Sequence, residues 1–307
     1  MHLVAQQLII LYLFILAGWL IGRIKKEKAA HSDILSVLLV NLLLPCKVFR
    51  SFSNNFTPSY FKERYLFLIA STLLLVVLVA AAVPVSRLLT KQPYERKIYR
   101  YSLAITNYAY LGYVLIEAVF GEAVLTDFMF FAIPFIIYTY SFGYALLTGG
   151  KNPWKRLLNP TTVSIMLGIV CGLTGFTLPS ALANAVSIAS SCVAPVSMLL
   201  TGLTLAAFQA KDLFLDLKAY LFAAIRLALI PTLAVLFCRL CGLHTLLPMM
   251  LIITCMPCGL NTIVFPKLIG EDCRLGARLT LITHLFAFPA LLFWMTMLQQ
   301  MKESVNL

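Results

Sequence analysis

Asn107 to Gly121 reads N-Y-A-Y-L-G-Y-V-L-I-E-A-V-F-G, and Met256 to Gly270 reads M-P-C-G-L-N-T-I-V-F-P-K-L-I-G. Both stretches are flanked by apolar segments and interrupted by Gly, Pro and Asn. Both run into Gly-Glu, at Gly121-Glu122 and Gly270-Glu271, 149 residues apart. Upstream, Gly18, Gly22 and Pro45 recur as Gly168, Gly172 and Pro195, each 150 residues on. A pair of interrupted apolar segments at matching places in two halves points to a transporter whose site lies at the repeat interface.

Composition sets the class. The chain is 61% hydrophobic and 12% charged, and a soluble domain carries about twice that charge. Apolar runs of roughly 20 residues, long enough to span a bilayer, recur along it. The reading is an all-α polytopic membrane protein. The first apolar run precedes its charges (Arg23, Lys25, Lys26, Lys28) and has no small-residue cleavage site after it, so it reads as a span and not a leader. The net charge of +12 sits in short loops, where it orients spans and does not imply nucleic acid.

Ten spans are expected, near 4–22, 33–52, 65–90, 99–120, 124–148, 160–177, 185–209, 218–241, 246–269 and 274–299. Residues 1–148 form a first five-helix repeat and 160–307 a second. The breaker-rich segment 149–159 is a cytoplasmic linker. The loops after spans 1, 3, 5, 7 and 9 hold 17 Lys and Arg; the remaining loops and the tail hold 6. That bias places the first set in the cytoplasm and both termini outside. Lys25 and Lys155 are then cytoplasmic, and Asp127 and Asn306 external. Five spans per half is odd, so the second repeat enters inverted, with spans 4 and 9 as broken crossover helices. The expected location is the plasma (cytoplasmic) membrane.

A broken helix survives in a bilayer only where its freed backbone groups meet protein or a water-filled cavity. The break exposes a half-helix N-terminus, which favours anions. Pro257 removes a backbone donor. Gly112 and Gly259 permit close approach, and Asn107 and Asn261 offer donors and acceptors. Tyr108, Tyr110 and Tyr113 crowd the first break and suit an organic anion's apolar body. The expected substrate-binding set is Asn107, Tyr108, Gly112, Tyr113, Pro257, Gly259 and Asn261.

These residues resemble a known family. N-Y-A-Y-L-G-Y-V is similar to the crossover motif N-x-x-x-x-G-x-P of the auxin efflux carriers, which include the plant PIN carriers and bacterial permeases. Asn107 and Gly112 match it, with Val114 in place of the proline. Pro257 matches the central proline of the second crossover, and Val40 to Pro45 resembles the family's second span. The chain lacks the long cytoplasmic loop of the large plant carriers and resembles a compact bacterial-type member. The resemblance implies an elevator-like carrier, with spans 1, 2, 6 and 7 as scaffold and spans 3–5 and 8–10 moving.

Three ionisable residues are candidates for coupling or auxiliary charge. Arg226 lies inside span 8, where a charge is a functional candidate or snorkels to the interface. Glu117 follows the first break. Lys267 follows the second and resembles the lysine ending the family's second crossover. Lys47 and Arg50 are expected at the outer interface, and His284 as a packing residue. Cys255-x-x-Cys258 lies in an apolar run and reads as packing. Gly168-x-x-x-Gly172 offers close helix packing and a candidate homodimer contact through the scaffold. No catalytic set, metal site or cofactor is expected. The expected partners are a small organic anion and membrane lipid. An intramembrane enzyme acting on lipid or isoprenoid substrates, or a membrane sensor, are the alternatives.

Overall fold

The computed structural model describes residues 2–24, 28–150, 157–209, 214 and 216–305. Lys25, Lys155 and Asn306, expected in loops or the tail, fall outside them. Among the described residues the regular elements are all helical, and the one β contact is an isolated bridge between Thr106 and Cys258.

The helices run in order as α1 (His2–Ile24), α2 (Asp33–Asn55), α3 (Pro58–Leu89), α4 (Pro93–Ala104), α5 (Tyr108–Phe120), α6 (Glu122–Phe131), α7 (Ile133–Thr148), α8 (Pro160–Thr174), α9 (Ser180–Ala206), α10 (Leu217–Leu240), α11 (Leu247–Cys255), α12 (Asn261–Lys267) and α13 (Arg274–Val305). Six of them, α1, α2, α3, α9, α10 and α13, are long and apolar enough to cross a membrane. The pair α6 and α7 adds a seventh if counted as one span bent by 50°. Pro134, in the first turn of α7, accounts for a bend there, because a proline cannot continue the hydrogen-bond ladder of the preceding helix. Leu73, Val76, Val77, Leu233 and Phe293 are exposed on outward faces. In water such a surface is costly; against lipid tails it is neutral, so the protein is a multi-pass membrane protein.

The helices pack as two groups. In the first, α1 lies along α9 and α2 along α8. Glycine makes both contacts close. A Cβ on Gly18 would sit 2.2 Å from the Leu199 carbonyl oxygen, and one on Gly202 would sit 2.0 Å from that of Ile15. On α8, a Cβ at Gly168 would lie 2.9 Å from Phe49 O, and one at Gly172 would lie 2.3 Å from Phe56 O. Gly168 and Gly172 thus give α8 its close packing against the α2 end of the same chain. In the second group α3 packs on α4, α10 on α11 and α13, and α5 on α6.

Among the described residues, four wide π-helical turns interrupt the helices, at Leu39–Leu43, Tyr108–Gly112, Thr139–Gly143 and Ile225–Leu229. Such turns concentrate at functional sites. Pro231 follows the last of them and cannot donate to the Leu227 carbonyl four residues back. The Trp294 indole N–H fills that acceptor at 2.8 Å.

Candidate functional site between the broken helices

The two breaks meet. α4 ends at Ala104 and α5 begins at Tyr108; α11 ends at Cys255 and α12 begins at Asn261. Between them, the Asn107 N–H donates to the Pro257 carbonyl at 2.8 Å. Gly259 lets the two connecting segments approach, since a Cβ there would lie 3.3 Å from Thr106 O. Pro257 lacks the N–H that would have bonded the Ile253 carbonyl. That carbonyl instead accepts from the Thr106 hydroxyl at 3.2 Å and from Arg226 Nη2 at 3.3 Å.

Arg226 is fully buried and does not snorkel. Its Nη1 donates to Leu103 O at 2.8 Å and its Nε to Met256 O at 3.4 Å. With Ile253 O, these carbonyls lie at the C-terminal ends of α4 and α11, where a helix leaves acceptors unpaired. Arg226 binds the crossover from the side of those ends.

A cavity lies at the opposite ends, where α5 and α12 begin. Asn107, Tyr108, Tyr113, Gly259 and Asn261 line it, with Tyr110, Thr139 and Tyr140. Leu44 of α2 and Thr161 of α8 close it from the other packing group. Its volume is about 40 Å³, room for a few waters and too little for an organic solute without movement. Tyr113 Oη and Thr161 Oγ1 are buried in its wall with no hydrogen-bond partner among the described residues. An unmet buried hydroxyl costs about 1–3 kcal/mol, so these walls favour water or a polar ligand.

The amides are held from behind. His284 Nδ1 lies 2.8 Å from Thr280 O, an acceptor, so Nδ1 carries the proton. Nε2 is then an acceptor, and the Asn107 Nδ2 group, 3.1 Å away, is the donor. Tyr12 of α1 donates its hydroxyl to the His284 carbonyl. Asn261 Nδ2 donates to the Tyr101 hydroxyl at 2.9 Å. His284 is buried and satisfied, and it also orients Asn107.

The remaining residues singled out from the sequence lie elsewhere. Gly112 faces Phe128 and Met256, and Pro257 contributes its carbonyl to the crossover without lining the cavity. The hydrogen bonds of Arg226 go to main-chain carbonyls. Glu117 pairs with Lys47, which is buried within the protein, the carboxylate supplying its counter-charge. Lys267 makes an exposed ion pair with Asp33 at 2.9 Å. Cys255 and Cys258 are free and buried; Cys258 N–H donates to Thr283 Oγ1 at 3.1 Å. Thr161, Thr139, Tyr140 and His284 enter the site with no local motif to announce them.

Residues 3–152 and 145–295 match the model of the membrane transport protein family. No curated protein matches the chain. The matched residues cover nearly its whole length, so the chain belongs to the membrane transport protein family, that of the auxin efflux carriers, and is a membrane transporter.

Proposed function

We propose that the protein is a secondary carrier for a small organic carboxylate and works by elevator-like alternating access. The observation that carries this is the position of the cavity. It sits where two helices are broken, and its walls come from both packing groups, with Leu44 and Thr161 on one side and Asn107, Tyr113 and Asn261 on the other. A site on the seam between two bodies changes its exposure when one body slides past the other. The α1, α2, α8 and α9 group is the scaffold in this reading, and the group containing both breaks moves.

The chain then forms ten spans as two inverted five-helix repeats. In support, the first helix of each half packs on the second helix of the other, α1 on α9 and α8 on α2. The contacts use Gly18 and Gly168, 150 residues apart. The basic-residue bias supports a plasma-membrane orientation with both termini outside. A homodimer through the scaffold would use a face other than that of Gly168 and Gly172. Asn107 and Asn261 bind the carboxylate with the first free N–H groups of α5, while Tyr108, Tyr110 and Tyr113 contact its apolar body.

Counterflow in proteoliposomes tests the proposal. Vesicles loaded with unlabelled phenylacetate or malate should accumulate the labelled acid transiently above equilibrium. Equilibration at the rate of protein-free vesicles for both acids would overturn the carboxylate assignment.

A further inference from the structure

Arg226 is the tenth residue of α10 (Leu217–Leu240), about 14 Å along the axis from its start. It is fully buried, and every partner is a main-chain carbonyl: Leu103 O, Ile253 O and Met256 O. No carboxylate among the described residues pairs with it. Lys47, the other deeply buried cation, has Glu117; Arg278 has Asp216 at 2.7 Å. A guanidinium keeps its proton in any protein environment. A full positive charge is therefore fixed inside the body that contains both breaks.

Its location decides where that charge is felt. The C-terminal end of a helix carries roughly half a negative charge and the N-terminal end half a positive one. Arg226 sits on the negative ends of α4 and α11 and offsets them. The positive start of α5, on the cavity side, stays uncancelled. Glu117, Glu122 and Asp127 belong to the same body. They form ion pairs with Lys47, Arg50 and Arg64, so each of these carboxylates has its own cation and none of them balances Arg226.

We propose that Arg226 is a built-in counter-charge for the transported anion, so that the charge fixed at the crossover is balanced when a monovalent anion is bound and is one uncompensated positive charge when the site is empty. This rests on the carrier reading above. Two consequences follow from charge balance. No bound metal cation is needed to neutralise the anion. The membrane potential acts on the empty return step and leaves the loaded step nearly untouched. At inside-negative potential the empty site is drawn toward the cytoplasm and reloads there, so the cycle favours export. A unit charge crossing the whole field would shift the inward-to-outward ratio about 50-fold per 100 mV; a partial stroke scales this down.

The decisive measurement uses the intact wild-type carrier in planar bilayers, in Na⁺-free buffer, with no organic anion present. Voltage jumps should give a saturable transient charge displacement. Its absence overturns the counter-charge. In proteoliposomes clamped with potassium and valinomycin, phenylacetate exchange should not vary with potential, and net phenylacetate efflux should rise several-fold over 100 mV. Exchange that depends on potential as steeply as net efflux also overturns it. Arg226→Gln should abolish the transient; a folded variant that keeps it contradicts the proposal, and if the variant does not fold the wild-type arms still decide. Absence of any phenylacetate or malate flux brings down the carboxylate reading alone, because the transient is recorded without either.

Discussion

The backbone N–H of Asn107 donates to the carbonyl of Pro257 at 2.8 Å, and the two residues are 150 positions apart, the spacing that also separates Gly18 from Gly168 and Pro45 from Pro195. If the halves are repeats as proposed, equivalent points of them touch at the crossover. Under the proposed repeat, the axis relating the halves passes here, and each half contributes one broken helix to the same cavity. This contact also removes two otherwise unmet backbone groups from an apolar interior, where each would be costly.

Asn107→Ala and Asn261→Ala should each weaken carboxylate binding about ten- to hundredfold, the loss of one charge-assisted hydrogen bond of about 1.5–3 kcal/mol. Asn107→Ala carries a further cost, because it leaves the buried His284 Nε2 without its donor. Its detergent melting temperature should therefore fall more than that of Asn261→Ala, whose partner Tyr101 is a hydroxyl. Phenylacetate uptake and thermal unfolding of the purified variants check both statements. Wild-type uptake in both variants would remove the amides from the site.

The topology has its own test. Cysteine introduced at position 155 should react with an impermeant maleimide only after cells are opened, and cysteine at 127 should react in intact cells. The motivation is the 17 to 6 division of Lys and Arg between alternate loops. Asp127 binds Arg64 and the Tyr60 hydroxyl, so Ser59→Cys, exposed near it, serves as a second external reporter. Labelling at 155 in intact cells would rule the inverted arrangement out.

Much of the crossover was legible in the sequence because its causes are local. Pro257 and Gly259 break a helix wherever they are placed, and Asn107 and Asn261 stand beside the breaks. What periodicity and motifs do not encode is which distant groups complete the site. Thr161 follows Pro160 as an ordinary first-turn residue, and only the packing of α8 on α2 brings it to the cavity wall. Arg226 was visible as an intramembrane charge, but its partners are main-chain carbonyls up to 123 residues away, and a carbonyl has no signature in a sequence. Glu117 and Lys47 looked independent because 70 residues separate them. The small-residue spacing of Gly168 and Gly172 announced close packing without naming the partner, which is α2.

Gly18→Ala and Gly202→Ala should loosen the scaffold. The added methyl would lie 2.2 Å from Leu199 O in the first case and 2.0 Å from Ile15 O in the second, and both obstacles are backbone, which cannot rotate away. Overpacking of this kind costs about 1–3 kcal/mol. Both variants should melt several degrees below wild type in detergent. A β-carbon at Gly150 meets only side-chain atoms, the nearest 3.4 Å away, so Gly150→Ala is the control. Equal melting temperatures for all three would mean that α1 and α9 are not held at this distance.

The charge of the substrate is the most direct probe of the site. The cavity lining contains no ionised side chain. Any preference for an anion must come from the free N–H groups at the start of α5, the amides of Asn107 and Asn261, the Tyr113 and Thr161 hydroxyls, and the proposed counter-charge of Arg226 behind the crossover. A carboxylate and its primary amide have nearly the same shape, but only the acid gains charge–dipole attraction and charge-assisted hydrogen bonds. Phenylacetate should therefore bind at least tenfold more tightly than phenylacetamide, and malate more tightly than its diamide. The ring of phenylacetate should be accepted beside Tyr108 and Tyr110, which flank the first break. Arg226→Gln, if folded, should narrow the gap between acid and amide by lowering affinity for the acid alone. Lys267→Gln should leave the gap unchanged, because Lys267 is committed to an exposed pair with Asp33. Calorimetric titration of each acid and amide against the purified carrier reads the ratio. Equal affinity for acid and amide would sink the anion site and leave a carrier of neutral solutes.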